Sequence, residues 1–145
     1  MKGIIVAIGL GLLSACQSST SQRSALARVT VYWHGDGSGD HASSSGVRLR
    51  ESHCAVDPKK IPYGSNVVFP DATCVAVDCG SDVINRKAAR LSGRSASERN
   101  AIVIDRFFET KQKALAWAKV HPHFMTVRIV TAGVQQSGSL VATKN

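Results

Sequence analysis

Aromatic residues are scarce in this chain and make up 6% of its 145 residues. So low a share argues against a binding surface built on aromatic stacking. The chain is also too short for two separately cored domains, so we expect one domain with a single core. The hydrophobic share of 43% is sufficient for that core.

Metal-binding patterns are missing as well. There is no Cys-x-x-Cys pair, and the five histidines do not fall at zinc-finger spacings. A Gly-, Ser-, Asp- and His-rich loop over 34–46 resembles a calcium loop, but its glycine placement and its lack of a distal glutamate do not fit an EF-hand. We expect no metal and no cofactor. The loop is either a plain surface loop or the lining of a substrate groove, with Ser45 and Gly46 as contacts.

No apolar run is long enough to span a bilayer. The ten-residue run from Ile4 to Leu13 follows Lys2 and precedes Ser14-Ala15-Cys16. This order is typical of a secretory signal. The end of the run also resembles a bacterial lipobox, whose cysteine becomes the lipidated first residue, although an ordinary cleavage site is the alternative. We predict a signal peptide over 1–16 with Cys16 lipidated, and a flexible tether over 17–27.

Acidic residues are fewer than basic ones, with 10 Asp and Glu against 18 Lys and Arg. The net charge is +8, and Lys2 is the one charged residue of the signal segment, so the mature chain remains basic. A basic surface fits nucleic acid, anionic lipid or an acidic cell-wall polymer. Export disfavours nucleic acid. We expect a monomer in the bacterial cell envelope, held by its lipid anchor in a membrane, on the periplasmic side of the outer or inner membrane.

Three further cysteines lie in the exported part: Cys54, Cys74 and Cys79. Disulfides persist outside the cytoplasm, and three thiols permit one bridge and leave one over. A bridge between Cys54 and Cys79 would tie two strand ends together, and we expect that pairing.

The pattern of apolar residues predicts a mainly β domain over 28–130. Alternating or continuous apolar runs predict strands, and a one-sided apolar face with Thr110 as N-cap predicts a helix over 109–119. We expect a small six-stranded β-barrel with one or two short helices, an exposed basic insertion over 85–100 and a flexible tail over 131–145. Strand-like segments lie at 28–33, 47–51, 54–56, 66–69, 73–77, 101–104 and 124–130.

Three aspartates, Asp57, Asp78 and Asp105, each follow one of these apolar runs. Acids at the rim of a rigid sheet are well placed for catalysis. Each also has a structural alternative: Asp57 before proline caps a turn, Asp78 lies in a turn, and Asp105 caps the following helix.

The residues around these aspartates resemble a known family. Ala55-Val56-Asp57-Pro58-x-x-Ile61-Pro62-x-Gly64-Ser65, then Asp78-Cys79-Gly80 and the Ile-Asp-x-Phe at 104–107, are similar to the 3D (three-aspartate) domain. That domain is the double-psi β-barrel of enzymes of the membrane-bound lytic transglycosylase A type. Rare lipoprotein A and the expansin barrel are more distantly similar. The resemblance runs from about residue 29 to residue 130.

The resemblance implies an enzyme that cleaves the bond between N-acetylmuramic acid and N-acetylglucosamine in peptidoglycan. It assigns Asp105 as the acid that protonates the glycosidic oxygen and then as the base for the muramoyl 6-hydroxyl, which closes a 1,6-anhydro ring. Asp57 and Asp78 match the other two family aspartates, which shape the groove. An acid with this role needs a raised pKa, which burial and nearby carboxylates provide.

Aromatic side chains near these motifs are candidates for contacts with sugar rings. We expect Tyr32, Trp33 and, more weakly, Tyr63 to contact substrate, because amphipathic aromatics often do so at clefts. Burial in the core is the alternative for Tyr32 and Trp33.

The chain departs from the family pattern after its second aspartate. Ser81 stands where the family has a second glycine, and Asp105 follows Asp78 by 27 positions, with an arginine-rich insertion between them. A non-catalytic peptidoglycan-binding lipoprotein is therefore the second hypothesis. Hydrolysis by two carboxylates also stays open, because a sequence does not give the distance between them.

Overall fold

The computed structural model describes residues 20–35 and 43–133. Within them, six strands close into a barrel in the order β1-β5-β2-β4-β3-β6. The predicted mainly β, six-stranded barrel is confirmed. The strands are β1 (Thr20–Trp33), β2 (His53–Ala55), β3 (Asn66–Val68), β4 (Thr73–Asp78), β5 (Ile102–Phe108) and β6 (Phe124–Ala132).

The same part of the chain contains four short helices, where the sequence predicted one or two. They are α1 (Ser81–Ile84), α2 (Lys87–Ser92), α3 (Ala96–Arg99) and α4 (Lys111–Val120). The last is the predicted helix, and its N-cap Thr110 accepts a hydrogen bond from the Lys113 amide at 3.3 Å. No helix in these residues is long and apolar enough to cross a membrane.

The segment between Asp78 and Asp105, which contains the basic insertion predicted over 85–100, is folded. It forms α1, α2 and α3, and a capping box between Ser95 and Glu98 fixes the start of α3. Helices α1 and α2 supply Val83 and Ala89 to a buried cluster that also contains Ala55, Val103 and Phe107. The insertion therefore covers the outer face of part of the barrel.

The barrel interior is a separate core. All six strands contribute to it, including Val29, Cys54, Val67, Ile104 and Val127, each at most 2% exposed. Strand residues alternate between this interior and the outer face. In β5, Ile104 points inward, whereas Val103 and Phe107 belong to the outer cluster.

The barrel begins earlier than the sequence predicted. Residues 20–27, expected to be a tether, form the first half of β1 and pair with β6, with Thr20 opposite Ala132 and Ala27 opposite Met125. This part of β1 was missed because its first residues are polar and exposed on both faces, so no alternation marks the strand. The predicted signal peptide, Cys16 and most of the predicted tail lie outside the described residues.

Candidate active site

Three adjacent strands bring Asp78 and Asp105 to one face of the barrel. Ala55 of β2 is the register partner of Asp78 on one side and of Asp105 on the other. Residues directly opposite in a sheet point the same way. Because β2 lies between β4 and β5, the backbones of β4 and β5 are two strand spacings, or about 10 Å, apart. The small side chain of Ala55 leaves space between the two acids.

That space is a cavity of about 450 Å³. Its volume lies in the range of ligand pockets, about 300–1,000 Å³. Both aspartates line it, so the structure brings two of the three sequence-predicted acids together. Tyr32, Trp33, His34 and Ser44 also line the cavity.

Asp78 accepts four hydrogen bonds from three residues. Its Oδ1 accepts from the Ser44 amide at 2.7 Å, from Ser44 Oγ at 2.6 Å and from the Cys79 amide at 2.9 Å. Its Oδ2 accepts from the Tyr32 hydroxyl at 3.1 Å. In each of these hydrogen bonds the Asp78 carboxylate is the acceptor, so the donors hold it in place.

A tight turn over residues 43–46 positions Ser44. Gly46 has φ = 78°, which favours glycine, and its amide donates to the Ser43 carbonyl at 2.8 Å. Ser45 Oγ donates to the Val77 carbonyl at 2.5 Å and so fastens the turn to β4. The predicted contacts Ser45 and Gly46 thus build the turn, and Ser44, which the sequence did not single out, contacts the acid.

Asp105 lies within β5 and not beyond its end, as the sequence suggested. The strand continues because Phe107 and Phe108 pair with Tyr32 and Trp33 of β1. The alternative that Asp105 caps the next helix does not apply, since Thr110 does so. Asp105 is partly buried, and its Oδ1 is shielded from solvent.

Tyr32 is influenced by both acids. It is 7% exposed, and its ring packs edge-on against Phe107 with centroids 5.3 Å apart. Burial first, then the charge and hydrogen bond of Asp78 and the charge of Asp105, raise the pKa of Tyr32. The phenol therefore stays protonated and donates to Asp78. Tyr32 belongs to the buried outer cluster and also lines the cavity. The two predicted alternatives for this residue, burial in the core and a place at the cleft, therefore both apply.

Trp33 is a partly exposed wall of the same cavity. The Lys111 ammonium lies 5.8 Å from its ring centroid. A partly exposed indole with an adjacent cation suits a polar, ring-shaped ligand.

His34 also lines the cavity, although no sequence pattern indicated it. Its ring centroid lies 4.6 Å from that of Phe107, and its Nε2 lies 3.8 Å from a Glu109 carboxylate oxygen. The histidine is thereby fixed at the mouth of the site.

Tyr63 and Asp57 do not line the cavity. Burial, followed by a hydrogen bond with Cys79 and the Cys79 charge, raises the pKa of Tyr63 to about 12. Asp57 lies in the connection from β2 to β3, where its Oδ1 accepts from the Lys59 amide at 3.1 Å and its carbonyl accepts from the Lys60 and Ile61 amides at 2.9 Å. Its contacts are those of a turn residue.

Cys54, Cys74 and Cys79 are free thiols. The expected bridge between Cys54 and Cys79 is not formed, because the two side chains lie on different sides of the barrel wall. Cys54 is in the interior core, with its sulfur 3.7 Å from the Val75 carbonyl. Cys79 follows β4 at the cavity, with its sulfur 3.3 Å from Ser44 Oγ.

Within residues 20–35 and 43–133, no three His, Cys, Asp or Glu side chains are grouped so that they could hold a metal ion. No family model matches the chain, and no curated protein matches it. Its chemistry is therefore inferred from the geometry of the cavity and from the resemblance of its motifs.

Proposed function

We propose that this protein is a lytic enzyme of the cell wall that cleaves the β-1,4 bond between N-acetylmuramic acid and N-acetylglucosamine in peptidoglycan. The observation that carries the proposal is the pair of acids, Asp78 and Asp105, facing one cavity across Ala55. Asp105 is partly buried and shielded, whereas Asp78 is fixed by donors. Two carboxylates in unlike environments are the usual basis for dividing roles in glycoside cleavage.

In the proposed mechanism, Asp105 donates a proton to the glycosidic oxygen as the bond to the anomeric carbon breaks. The same carboxylate then removes the proton of the muramoyl 6-hydroxyl, whose oxygen bonds to that carbon and closes the 1,6-anhydro ring. One proton is donated and one is recovered, so Asp105 returns to its starting state. The negative charge of Asp78 stabilises the positive charge that develops on the sugar ring.

Tyr32 and Trp33 serve the substrate in different ways in this scheme. Tyr32 keeps the Asp78 carboxylate in place through its 3.1 Å hydrogen bond. Trp33, a partly exposed wall of the cavity, contacts a sugar ring. Asp57 supports the turn before β3 and takes no part in the chemistry.

The proposed location is the bacterial cell envelope. The signal-like segment that ends at Cys16 would give the protein a lipid anchor in the outer or inner membrane, with the barrel on the periplasmic side. The net charge of +8 suits an acidic polymer such as peptidoglycan.

The test is turnover of purified sacculi by the full chain in detergent, with products identified by mass spectrometry. Wild type is expected to release muropeptides that end in 1,6-anhydro-muramic acid. Asp105→Asn is expected to lower the rate by at least about a hundredfold, since a general acid typically contributes that much. Asp57→Asn is the matched control and is expected to keep the rate within about threefold of wild type, because its carboxylate accepts from the turn amide of Lys59 and lies outside the cavity.

Other products would change the assignment. Reducing ends in place of anhydro ends would mean hydrolysis by two carboxylates. Binding of wild type and Asp105→Asn to sacculi without any release would mean a non-catalytic peptidoglycan-binding lipoprotein. Equal losses in Asp57→Asn and Asp105→Asn would contradict the roles given to these two acids.

A further inference from the structure

Helices α2 and α3 meet in a turn that is fixed by its own contacts. A β-carbon added at Gly93, between the two helices, would lie 2.6 Å from the Arg99 amide nitrogen, so a glycine is needed for this close approach. Arg99 Nη1 also donates to the carbonyls of Gly93 at 3.3 Å and Arg94 at 3.2 Å. The turn is therefore a compact structure.

The same turn is attached to the barrel. Arg28 Nε of β1 donates to Ser92 Oγ, at the end of α2, at 2.9 Å. Ala89 of α2 is fully buried in the outer cluster, and the partly buried Ala88 packs against that cluster. One side of α2 thus faces the barrel, and its remaining residues are left to solvent.

The solvent-facing side of the turn combines two cations with an aliphatic side chain. Three exposed residues form it, and we call them the basic corner: Arg90, Leu91 and Arg94. Leu91 is 79% exposed, the highest value among the large hydrophobic residues that the structure describes. An aliphatic side chain so exposed between two arginines is typical of a surface that meets a partner.

The charge of the basic corner is not neutralised by nearby acids. Residues 81–99 contain five basic residues and two acidic ones, Asp82 and Glu98. Asp82 pairs with the Lys87 ammonium at 3.1 Å, and Glu98 accepts from the amides of Arg94 and Ser95. Within the described part of the chain, neither guanidinium group of the basic corner has an acidic partner, so both are available to an anion.

A phospholipid surface fits this combination better than an acidic polymer does. Guanidinium groups form paired hydrogen bonds with phosphate oxygens, and an acidic polymer would satisfy them as well. A polymer in water, however, offers no apolar layer for Leu91. A bilayer has anionic headgroups at its surface and acyl chains directly beneath them, which is where basic and aliphatic residues of interfacial helices lie.

We infer that the basic corner docks on an anionic phospholipid membrane. Arg90 and Arg94 contact the headgroup phosphates, and Leu91 enters the boundary between headgroups and acyl chains. This inference goes beyond the proposed function, because it involves neither the cavity nor a glycan strand. The proposed lipid anchor would keep the basic corner near a bilayer and so raise its effective concentration there.

The test is hydrogen exchange, followed by mass spectrometry, on the full chain in vesicles. One set of vesicles is phosphatidylcholine, which has no net charge, and the other contains about one-third phosphatidylglycerol, which is anionic. The proposed anchor inserts into either set, so the difference between them reports on charge. Amides of residues 87–95 are expected to exchange at least about fivefold more slowly in the anionic vesicles, the size expected for one basic residue near such a surface. Salt at about 0.5 M is expected to remove the difference, because it screens exposed charges.

The two arginines are tested together against a matched pair of lysines. Arg90→Gln combined with Arg94→Gln is expected to return exchange in anionic vesicles to the rate in neutral ones. Lys59→Gln combined with Lys60→Gln removes two exposed charges from the connection between β2 and β3 and is expected to keep the slowing. Exchange in neutral vesicles shows whether each variant keeps its helices.

The leucine is tested against another exposed aliphatic residue. Leu91→Ser is expected to reduce the slowing about threefold, because less apolar surface enters the bilayer. Val120→Ser, 74% exposed on α4, is expected to leave the slowing unchanged. An equal reduction in the two variants would contradict the place given to Leu91.

Equal exchange in the two sets of vesicles overturns the inference, and so does slowing that survives high salt or the loss of Arg90 and Arg94. Slowing by purified sacculi but not by anionic vesicles would assign the basic corner to an acidic wall polymer and would overturn it as well. The proposed function fails separately: an absence of anhydro products from wild type, with the slowing in anionic vesicles intact, would contradict the enzyme and leave the basic corner standing.

Discussion

Among the described residues, Ser44 gives Asp78 the most hydrogen bonds. It gives the carboxylate two donors, its amide and its hydroxyl, and the hydroxyl also lies 3.3 Å from the Cys79 sulfur. Its neighbour Ser45 donates to a β4 carbonyl instead. Two adjacent serines therefore have separate tasks, one in the site and one in the turn.

We expect Ser44→Ala to lower the rate of anhydro-muropeptide release about tenfold. One hydrogen bond to a charged group is worth about 1.5–3 kcal/mol, and the amide contact of Ser44 remains. The rate is measured on sacculi, and the melting temperature is measured beside it. Ser45→Ala is the matched change, and it is expected to lower the melting temperature with little effect on the rate of the folded protein. A loss of rate in Ser45→Ala as large as in Ser44→Ala would contradict this division.

At the scale of elements, Arg106 joins β5 to the connection between β3 and β4 and to α4. Its side chain is buried among aromatic rings, with the guanidinium carbon 4.8 Å from the Phe69 centroid and 4.6 Å from that of Trp117. Asp71 accepts from Arg106 Nη1 at 3.0 Å and from Trp117 Nε1 at 2.9 Å. This cluster lies next to Asp105 in sequence but on the opposite face of the strand, so it holds β5 in place from behind the site.

Asp71 makes this cluster dependent on pH. Burial is the largest effect and tends to raise the pKa of Asp71, but the hydrogen bonds from Arg106 and Trp117 and the Arg106 charge outweigh it, and the pKa is lowered. The folded value is thus below the ordinary unfolded value of about 3.9. The stabilisation is complete above about pH 4 and is lost as pH falls through the lowered folded value.

We expect Asp71→Asn to reduce the free energy of unfolding by about 3 kcal/mol at neutral pH, because it leaves the buried Arg106 charge uncompensated. Urea unfolding at pH 7, 5 and 3 measures the effect. The gap between wild type and Asp71→Asn should be constant from pH 7 to 5 and narrower at pH 3. Asp82→Asn, which breaks the exposed pair with Lys87, should cost less than about 1 kcal/mol. A difference in unfolding free energy that widens toward pH 3 would show that the pKa of Asp71 is not lowered in the folded protein.

At the scale of the whole molecule, the first half of β1 closes the barrel. It joins β6 to the rest of the sheet through the pairing of residues 20–27 with 125–132, and the fully buried Ala27 is part of the interior core. The hydrogen bonds of this ladder are each worth about 1 kcal/mol, against a total stability of about 5–15 kcal/mol for a domain of this size.

We expect a chain that starts at Arg28 to melt at least about 10 °C below one that starts at Thr20, or to lose its cooperative transition altogether. Thermal unfolding followed by circular dichroism measures both. The two chains differ only in residues 20–27, so the chain that starts at Thr20 is the control for the one that starts at Arg28. Equal melting temperatures would mean that these residues are a tether after all.

Local sequence patterns predicted most of the strands and helix α4. They failed where contacts between residues distant in the sequence determine the structure. Helix α4 follows from a one-sided apolar face and a threonine cap, and β3 and β4 follow from apolar runs interrupted near Pro70. The end of β5 could not be placed, because a strand buried on both faces gives no sign of where it stops. Ser44 could not be told from its two neighbouring serines, since its partner Asp78 lies 34 positions away.

If the proposed lipid anchor is present, the length of β1 limits how far from the membrane this protein could work. If Cys16 carries the proposed lipid, four residue steps separate it from Thr20, a reach of about 14 Å when fully extended. From Thr20 the strand runs to Trp33 at the cavity, a distance of about 43 Å along its axis. With the proposed anchor in place, the strand would therefore set a maximum distance between the membrane and the cavity. Glycan strands beyond about 60 Å from the bilayer would be out of reach, so the protein would trim only the layer of wall that faces its own membrane.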